Sequence, residues 1–218
     1  MAGFNQTPGA NRLHIGFFGK RNSGKSSLIN AFVSQEVSIV SSEAGTTTDP
    51  VYKAIEIHGL GPCLLIDTAG FDDIGTLGKQ RIDKTKKVSE KIDIAIILFT
   101  DENIEQELNW YNHFKEKHIP VILVISKIDL SITNNLIKTI FEHFKKEPIL
   151  TSSITNQGIL ELKEALINNL PKDFEKESIT GTLVKSGDLV LLVMPQDIQA
   201  PKGRLILPQV QVLRELLD

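Results

Sequence analysis

Gly19 and Gly24 stand five residues apart and are followed at once by Lys25 and Ser26, which fits the spacing G-x-x-x-x-G-K-[ST]. A glycine-rich loop that opens a helix presents free backbone N–H groups and a partial positive charge. Glycine lets that backbone close around a phosphate. Asn22, Ser23, Gly24, Lys25, Ser26 and Ser27 would form this cradle. Lys25 adds a full positive charge, and the Ser26 hydroxyl can ligate Mg²⁺.

Three further clusters carry complementary chemistry. Asp67-Thr68-Ala69-Gly70 combines a carboxylate suited to Mg²⁺ with a glycine whose bare backbone can approach a γ-phosphate. Ser126-Lys127-Ile128-Asp129 places a carboxylate where two guanine N–H groups could be met together. Adenine lacks both donors, and an unpaired buried carboxylate is costly, so such a site rejects it. Ser152-Ser153 offers a backbone N–H to the guanine O6.

Each cluster follows a strand-like stretch. Arg12 to Phe18 reads as a strand entering the glycine loop, and about Lys25 to Val33 as the helix after it. Ser34 to Pro50 shows no helical period and contains Gly45-Thr46-Thr47-Thr48, so a long functional loop is expected. Val51 to His58 alternates as a strand. Pro62 to Asp67 is nearly all apolar, as a strand buried on both faces would be. A charged helix is expected over Lys79 to Lys91, with Ile82 and Val88 inward. Buried strands follow at Asp93–Phe99 and Val121–Ile125, with a helix over Glu102–Lys117 between them. A helix over Leu136–Lys145, a short strand at Pro148–Thr151 and a helix over Gln157–Leu170 close the series. This alternation predicts an α/β three-layer sandwich around a mostly parallel sheet, which puts all four clusters at strand C-termini, where open parallel sheets bind ligands.

Composition narrows the classes. The 218 residues are 41% hydrophobic and 23% charged, the balance of a globular chain. The net charge of -3 gives no general attraction to nucleic acid or to an anionic membrane, and no apolar run is long enough to span one. The first twelve residues lack the apolar core of a secretory signal. The single cysteine, Cys63, sits in an apolar strand, reads as a core residue and excludes an intrachain disulfide framework, so a cytoplasmic protein is expected. The scattered histidines suggest no zinc site, because His113 and His118 miss the same-face helical spacing.

Taken together, the glycine loop, Gly45-Thr46-Thr47, Asp67-Thr68-Ala69-Gly70, Lys127-Ile128-Asp129 and Ser152-Ser153 resemble the P-loop GTPases, and more narrowly their TrmE–Era group, over about residues 12–170. The resemblance implies binding of GTP and GDP with Mg²⁺. It casts Lys25, Thr47 and Gly70 as the catalytic positions and Ser26, Thr47 and Asp67 as the Mg²⁺ ligands. A loop N-cap is the plain reading of Thr47. Three residues depart from the commonest pattern. Ser126 stands where Asn is usual, which would weaken the hold on guanine. Phe71 stands where many relatives carry a water-orienting Gln, so intrinsic hydrolysis would be slow. Asp72 and Asp73 are nearby substitutes for that Gln, or simply loop residues. Asn22 matches the K⁺ ligand of potassium-activated relatives, or serves only the turn.

The end of the chain changes character. Lys172 to Ser178 opens a charged linker, Leu189 to Met194 is an apolar strand candidate, and Gln209 to Leu217 starts a helix. The run Ala200–Gln211, with Gly181–Asp188 before it, looks like the hydrogenase maturation GTPase family HydF. That resemblance implies a role in assembling the metal cluster of [FeFe]-hydrogenase alongside radical-SAM enzymes. The expected organisation is a flexible arm over 1–11, a GTPase domain over 12–171, a linker over 172–181 and part of a dimerisation domain over 182–218, giving a homodimer. The 218 residues hold no cysteine-rich segment, so either a piece of a longer protein or a shortened homologue is expected, with no ligands here for the family's Fe–S cluster. The alternative is a TrmE–Era protein acting on tRNA or the ribosome; with no basic appendage, no nucleic-acid partner is expected.

Overall fold

The structure, a computed structural model, describes residues 12–35, 41–43, 50–57, 59–70, 85–130, 134–171, 180, 183–185, 187–193, 212–213 and 216. It divides into two compact units, one of residues 12–172 and one of residues 1–11 with 173–218.

In the larger unit the described strands are β1 (Leu13–Gly19), β2 (Ser41–Glu43), β3 (Val51–Ile57), β4 (Gly61–Asp67), β5 (Ile94–Phe99), β6 (Val121–Ile125) and β7 (Ile149–Leu150). They form one sheet in the order β2-β3-β4-β1-β5-β6-β7. β1 is parallel to β4 and β5, and β6 is parallel to β5 and β7. Only β2 and β3, at one edge, run antiparallel to their neighbours. The C-terminal ends of β4, β1, β5, β6 and β7 therefore share one edge of the sheet.

The helices are α1 (Lys25–Gln35), a described stretch α2 at residues 85–89, α3 (Glu105–Glu116), α4 (Asn134–Phe144) and α5 (Ile159–Asn168). Their apolar spacing explains which face each one buries. α4 buries Leu136, Ile140 and Phe144, and α5 buries Ile159, Leu162 and Leu166. β5 and β6 are buried along their whole length, as central parallel strands should be. An aromatic seam packs helices on the sheet. Phe18 of β1 lies 5.5 Å from Trp110 and 4.8 Å from Phe114 of α3, and Phe99 of β5 meets Phe144 at 5.5 Å. Such pairs add about 0.5–1.5 kcal/mol each beyond the area they bury.

Three expectations change. The stretch Ser34–Pro50 is not all loop, because Ser41–Glu43 pair with Tyr52–Ala54 as an edge strand. The signal is a backbone ladder, which three polar residues do not advertise. β4 alternates in burial, with Pro62 and Leu64 only half-buried, because it joins the parallel core to the antiparallel edge instead of lying inside the core. In the smaller unit, residues 189–193 form no strand. Leu189, Leu191 and Val193 are 84–102% exposed, and a strand needs a ladder partner that the described residues do not supply. Helix is present at 212–213 and 216.

Candidate functional site

The glycine loop leaves β1 and returns as α1 with part of its backbone at positive φ. Asn22 has φ 59° and Gly24 φ 89°. A left-handed position suits Asn, so the turn alone accounts for that residue type at position 22. Lys25, only 7% exposed, folds its ammonium back over the loop. Its Nζ donates to the carbonyls of Gly19 at 3.0 Å and Lys20 at 2.7 Å. The charge is thus fixed above the loop by the loop's own backbone.

Ser26 opens α1 beside the end of β4, and its hydroxyl donates to Asp67 Oδ2. Burial pushes the Asp67 carboxyl above its ordinary value, against the Ser26 hydrogen bond and the charges of Lys25 and Lys53. A hydroxyl and a carboxylate converging in a half-buried place are hard oxygen donors of the kind Mg²⁺ takes, so the residues present fit that ion. Thr68 is buried and ties the strand exit to β1 through Oγ1 donating to the Phe17 carbonyl at 2.6 Å. Gly70 backs directly onto the glycine loop. A Cβ there would lie 2.6 Å from the Arg21 nitrogen, so this position must be glycine even before any ligand is considered.

The guanine-type cluster sits one strand pair away. Ser126 is buried and donates its hydroxyl to the Ser23 carbonyl at 2.5 Å, tying this turn to the glycine loop. The expectation that a hydroxyl here merely weakens the hold on the base overlooks this structural link. Lys127, at φ 60°, donates Nζ to the Asn22 carbonyl at 2.6 Å, which is a second tie between the same two turns. Asp129 is exposed and accepts a hydrogen bond from Ser152 Oγ at 2.6 Å, fixing the carboxylate. The Ser152 amide is already committed to the Gln157 carbonyl at 3.1 Å, which narrows the O6 donor anticipated in Ser152-Ser153 to Ser153. A cavity of about 560 Å³ lies beside this cluster, lined by Ser27, Asn30, Ala31, Ser153, Ile154 and Asn156, among others.

Thr47, Phe71, Asp72, Asp73 and the run Ala200–Gln211 lie outside the described residues, as does Ile82. Val88 is buried as expected, and Cys63 is a buried free thiol. Among the described residues, no group of three or more His, Cys, Asp or Glu side chains could hold a metal, and no helix is long and apolar enough to cross a membrane. Sequence reasoning missed Asp101 and Asn103, which hold Lys20 of the glycine loop. The available signal was position, since both follow the end of β5, the parallel neighbour of β1.

A parallel sheet with a glycine loop between β1 and α1, and polar turns gathered at the strand ends, defines a P-loop nucleotide-binding domain. Residues 14–127 match the family described as 50S ribosome-binding GTPase, and the chain belongs to that GTPase family. Residues 179–218 match the hydrogen maturase F dimerization domain. The tRNA modification GTPase MnmE of Aquifex aeolicus is 32% identical over 168 residues, covering 75% of this chain and 36% of that protein. GTPase Der of Wolinella succinogenes is 30% identical over 190 residues, covering 80% and 39%. The chain thus spans little more than a third of the length of these relatives. Among solved structures, Aquifex aeolicus Era bound to GDP·AlF4⁻ is 27% identical with a TM-score of 0.59, covering 73% of this chain and 57% of that one. Another Era structure, with the same scores, is a complex with MgGDPNP and a stretch of 16S ribosomal RNA. The G domain of the T. maritima FeoB iron transporter is 26% identical with a TM-score of 0.52, covering 72% and 98%.

Proposed function

We propose that this chain binds GTP with Mg²⁺ and hydrolyses it to GDP and phosphate, as a nucleotide switch in maturation of the [FeFe]-hydrogenase metal cluster. The observation that carries the hydrolase reading is the convergence of Lys25, Ser26 and Asp67 with Ser126, Asp129 and Ser152 along one sheet edge, tied together through Ser23 and Asn22. Lys25 and the amides of the loop bind the phosphates. Asp129 accepts the guanine N–H groups, and Ser153 N–H meets O6. Ser26, Asp67 and Thr47 would hold Mg²⁺, which would supply charge neutralisation for the phosphate oxygens. Gly70 and Thr47 respond to the γ-phosphate and release their loops after hydrolysis. The chain divides by function into a GTPase domain over 12–171 and a dimerising segment over 182–218.

The maturation role is supported by the match of residues 179–218 to the hydrogen maturase F dimerization domain, and by nothing inside the sheet unit. Partners of that role would be the hydrogenase and radical-SAM enzymes. The alternative, action on tRNA or the ribosome, is favoured by the MnmE relatives and by Era, one of whose structures carries ribosomal RNA. The test is paired. Steady-state release of phosphate from GTP but not ATP, abolished by Lys25→Ala, is the expected result for hydrolysis, and equal turnover of ATP would overturn the guanine assignment. Binding of the 218-residue chain to ribosomal RNA that falls steeply with salt would favour the alternative. Asn22 as a K⁺ ligand predicts faster turnover in K⁺ than in Na⁺ at equal ionic strength; equal rates would remove it.

A further inference from the structure

The glycine loop contains a second lysine, and its placement has no counterpart in the phosphate-binding role of the first. Lys20 is largely buried, with its side chain 16% exposed. Its ammonium reaches the loop after β5. There it donates to Asp101 Oδ1 at 2.6 Å and to the Asn103 carbonyl. Asp101 is itself held, because Oδ1 accepts the Asn103 amide at 3.0 Å and Oδ2 the Thr100 hydroxyl at 3.3 Å. The backbone of Lys20 meanwhile does separate work. Its carbonyl accepts Lys25 Nζ at 2.7 Å and the Ser23 amide at 3.2 Å.

One residue thus joins two structures. Its side chain is anchored to the β5–α3 loop, and its carbonyl holds the Lys25 charge at 2.7 Å, beside the Gly19 carbonyl at 3.0 Å and Ser23 Oγ at 3.5 Å. The route from Asp101 to Lys25 runs through a single residue, so the hold of Asp101 on Lys20 bears on the carbonyl nearest the Lys25 ammonium.

We infer that Asp101 is a positioning residue for phosphate binding: by anchoring Lys20 it fixes the carbonyl seat of Lys25 and so sets affinity for the di- and triphosphate group. The inference rests on the GTPase reading and deepens it, since Asp101 would act through Lys20 and not on the nucleotide itself. An ion pair whose carboxylate is already held by Thr100 and Asn103 loses less side-chain entropy than one between free surface chains, so it can fix geometry even where it adds little to global stability.

The test is a double-mutant cycle on the 218-residue chain with Asp101→Asn, Lys20→Met and the double variant. The measurements are MgGDP and MgGTP affinity, KM and kcat for GTP, and the thermal midpoint. The expected result is about a tenfold loss of affinity and rise in KM in each single variant, with kcat changed less than about twofold. The double variant should be no worse than Lys20→Met, because both changes cut one path. Lys20→Arg should recover most of the affinity. Unchanged affinity in Asp101→Asn, or losses that simply add, would overturn the inference. So would affinity that falls only in step with the thermal midpoint, since that is the signature of general destabilisation. A wild-type chain that binds no guanine nucleotide would overturn the GTPase reading and this inference together. A wild type that binds, beside an Asp101→Asn that binds equally well, overturns the inference alone.

Discussion

Asp129 and Gly70 show how much a single residue type can carry. The Asp129 carboxylate is held by Ser152 Oγ and lies next to a turn tied to the glycine loop through Ser126 and Lys127. Asp129→Asn exchanges an acceptor for a donor where two guanine N–H groups would point. GTP affinity should fall about 100-fold, the loss of roughly 3 kcal/mol of charge-assisted hydrogen bonding. Xanthosine triphosphate, with a carbonyl at that position, should bind the variant better than GTP does, as competition titrations would read directly. Gly70→Ala tests a different kind of constraint. The new Cβ would stand 2.6 Å from the Arg21 nitrogen, so either the loop after β4 or the glycine loop must move. A destabilisation of about 1–3 kcal/mol is expected, with weakened nucleotide binding, read from denaturant melts and nucleotide titrations. The motif letters were legible in the sequence at both positions. The clash with Arg21 was not, because it arises between two loops 49 residues apart in the chain.

At the scale of elements, α2 and α3 are joined by a polar contact that sequence periodicity treats as surface. Ser89 Oγ lies 3.2 Å from His113 Nε2, and the ring meets Trp110 and Phe114 edge-on at 5.5 and 5.6 Å. Desolvation first, and then the charge of Lys117, holds the imidazole below its ordinary value of 6.5, against the opposing charges of Glu116 and Glu90. The unfolded chain therefore binds a proton at His113 before the folded one does. The contribution to stability is complete above pH 6.5 and is lost as pH falls through the folded value. The thermal midpoint of the wild type should drop more steeply between pH 7.5 and 5.5 than that of His113→Gln, measured by calorimetry in matched buffers. α2 is also the next described element after Asp67–Gly70, and this contact fixes its described end against α3. Helix existence and type followed from apolar spacing, as at Leu136, Ile140 and Phe144 of α4. The edge strand β2 did not, because its identity lies in pairing with β3 and its own three residues are polar.

For the whole molecule, the division at residue 172 separates a sheet unit with its own core from a unit in which Leu183, Leu189, Leu191 and Val193 are strongly exposed. A chain ending at Lys172 should fold, bind nucleotide with affinity close to that of the full 218 residues, and stay monomeric. The full chain should self-associate through residues 182–218, consistent with the match to a dimerization domain. Sedimentation velocity over a hundredfold concentration range checks this. If both chains behave as monomers, the exposed leucines have another use. Leu189, Leu191 and Val193 show the limit of composition at this scale. An apolar run of that length reads as a strand candidate, yet a strand is a property of a pair, and the described residues hold no neighbour for it.

The sequence by itself determined the chemistry of this protein: a glycine loop with Lys25 and Ser26, the carboxylates Asp67 and Asp129, and a serial order of strands and helices that brings them to one edge. These are local facts of residue type, spacing and period, and local physics reads them. The tertiary structure alone decided how the parts are held. Ser126 joins the base-side turn to the phosphate loop, Gly70 leaves room for Arg21, β2 closes the antiparallel edge, and Asp101 anchors the lysine whose carbonyl seats Lys25. All but the β2–β3 ladder are contacts between segments distant in the chain, and their energies depend on distances that only a folded sheet sets.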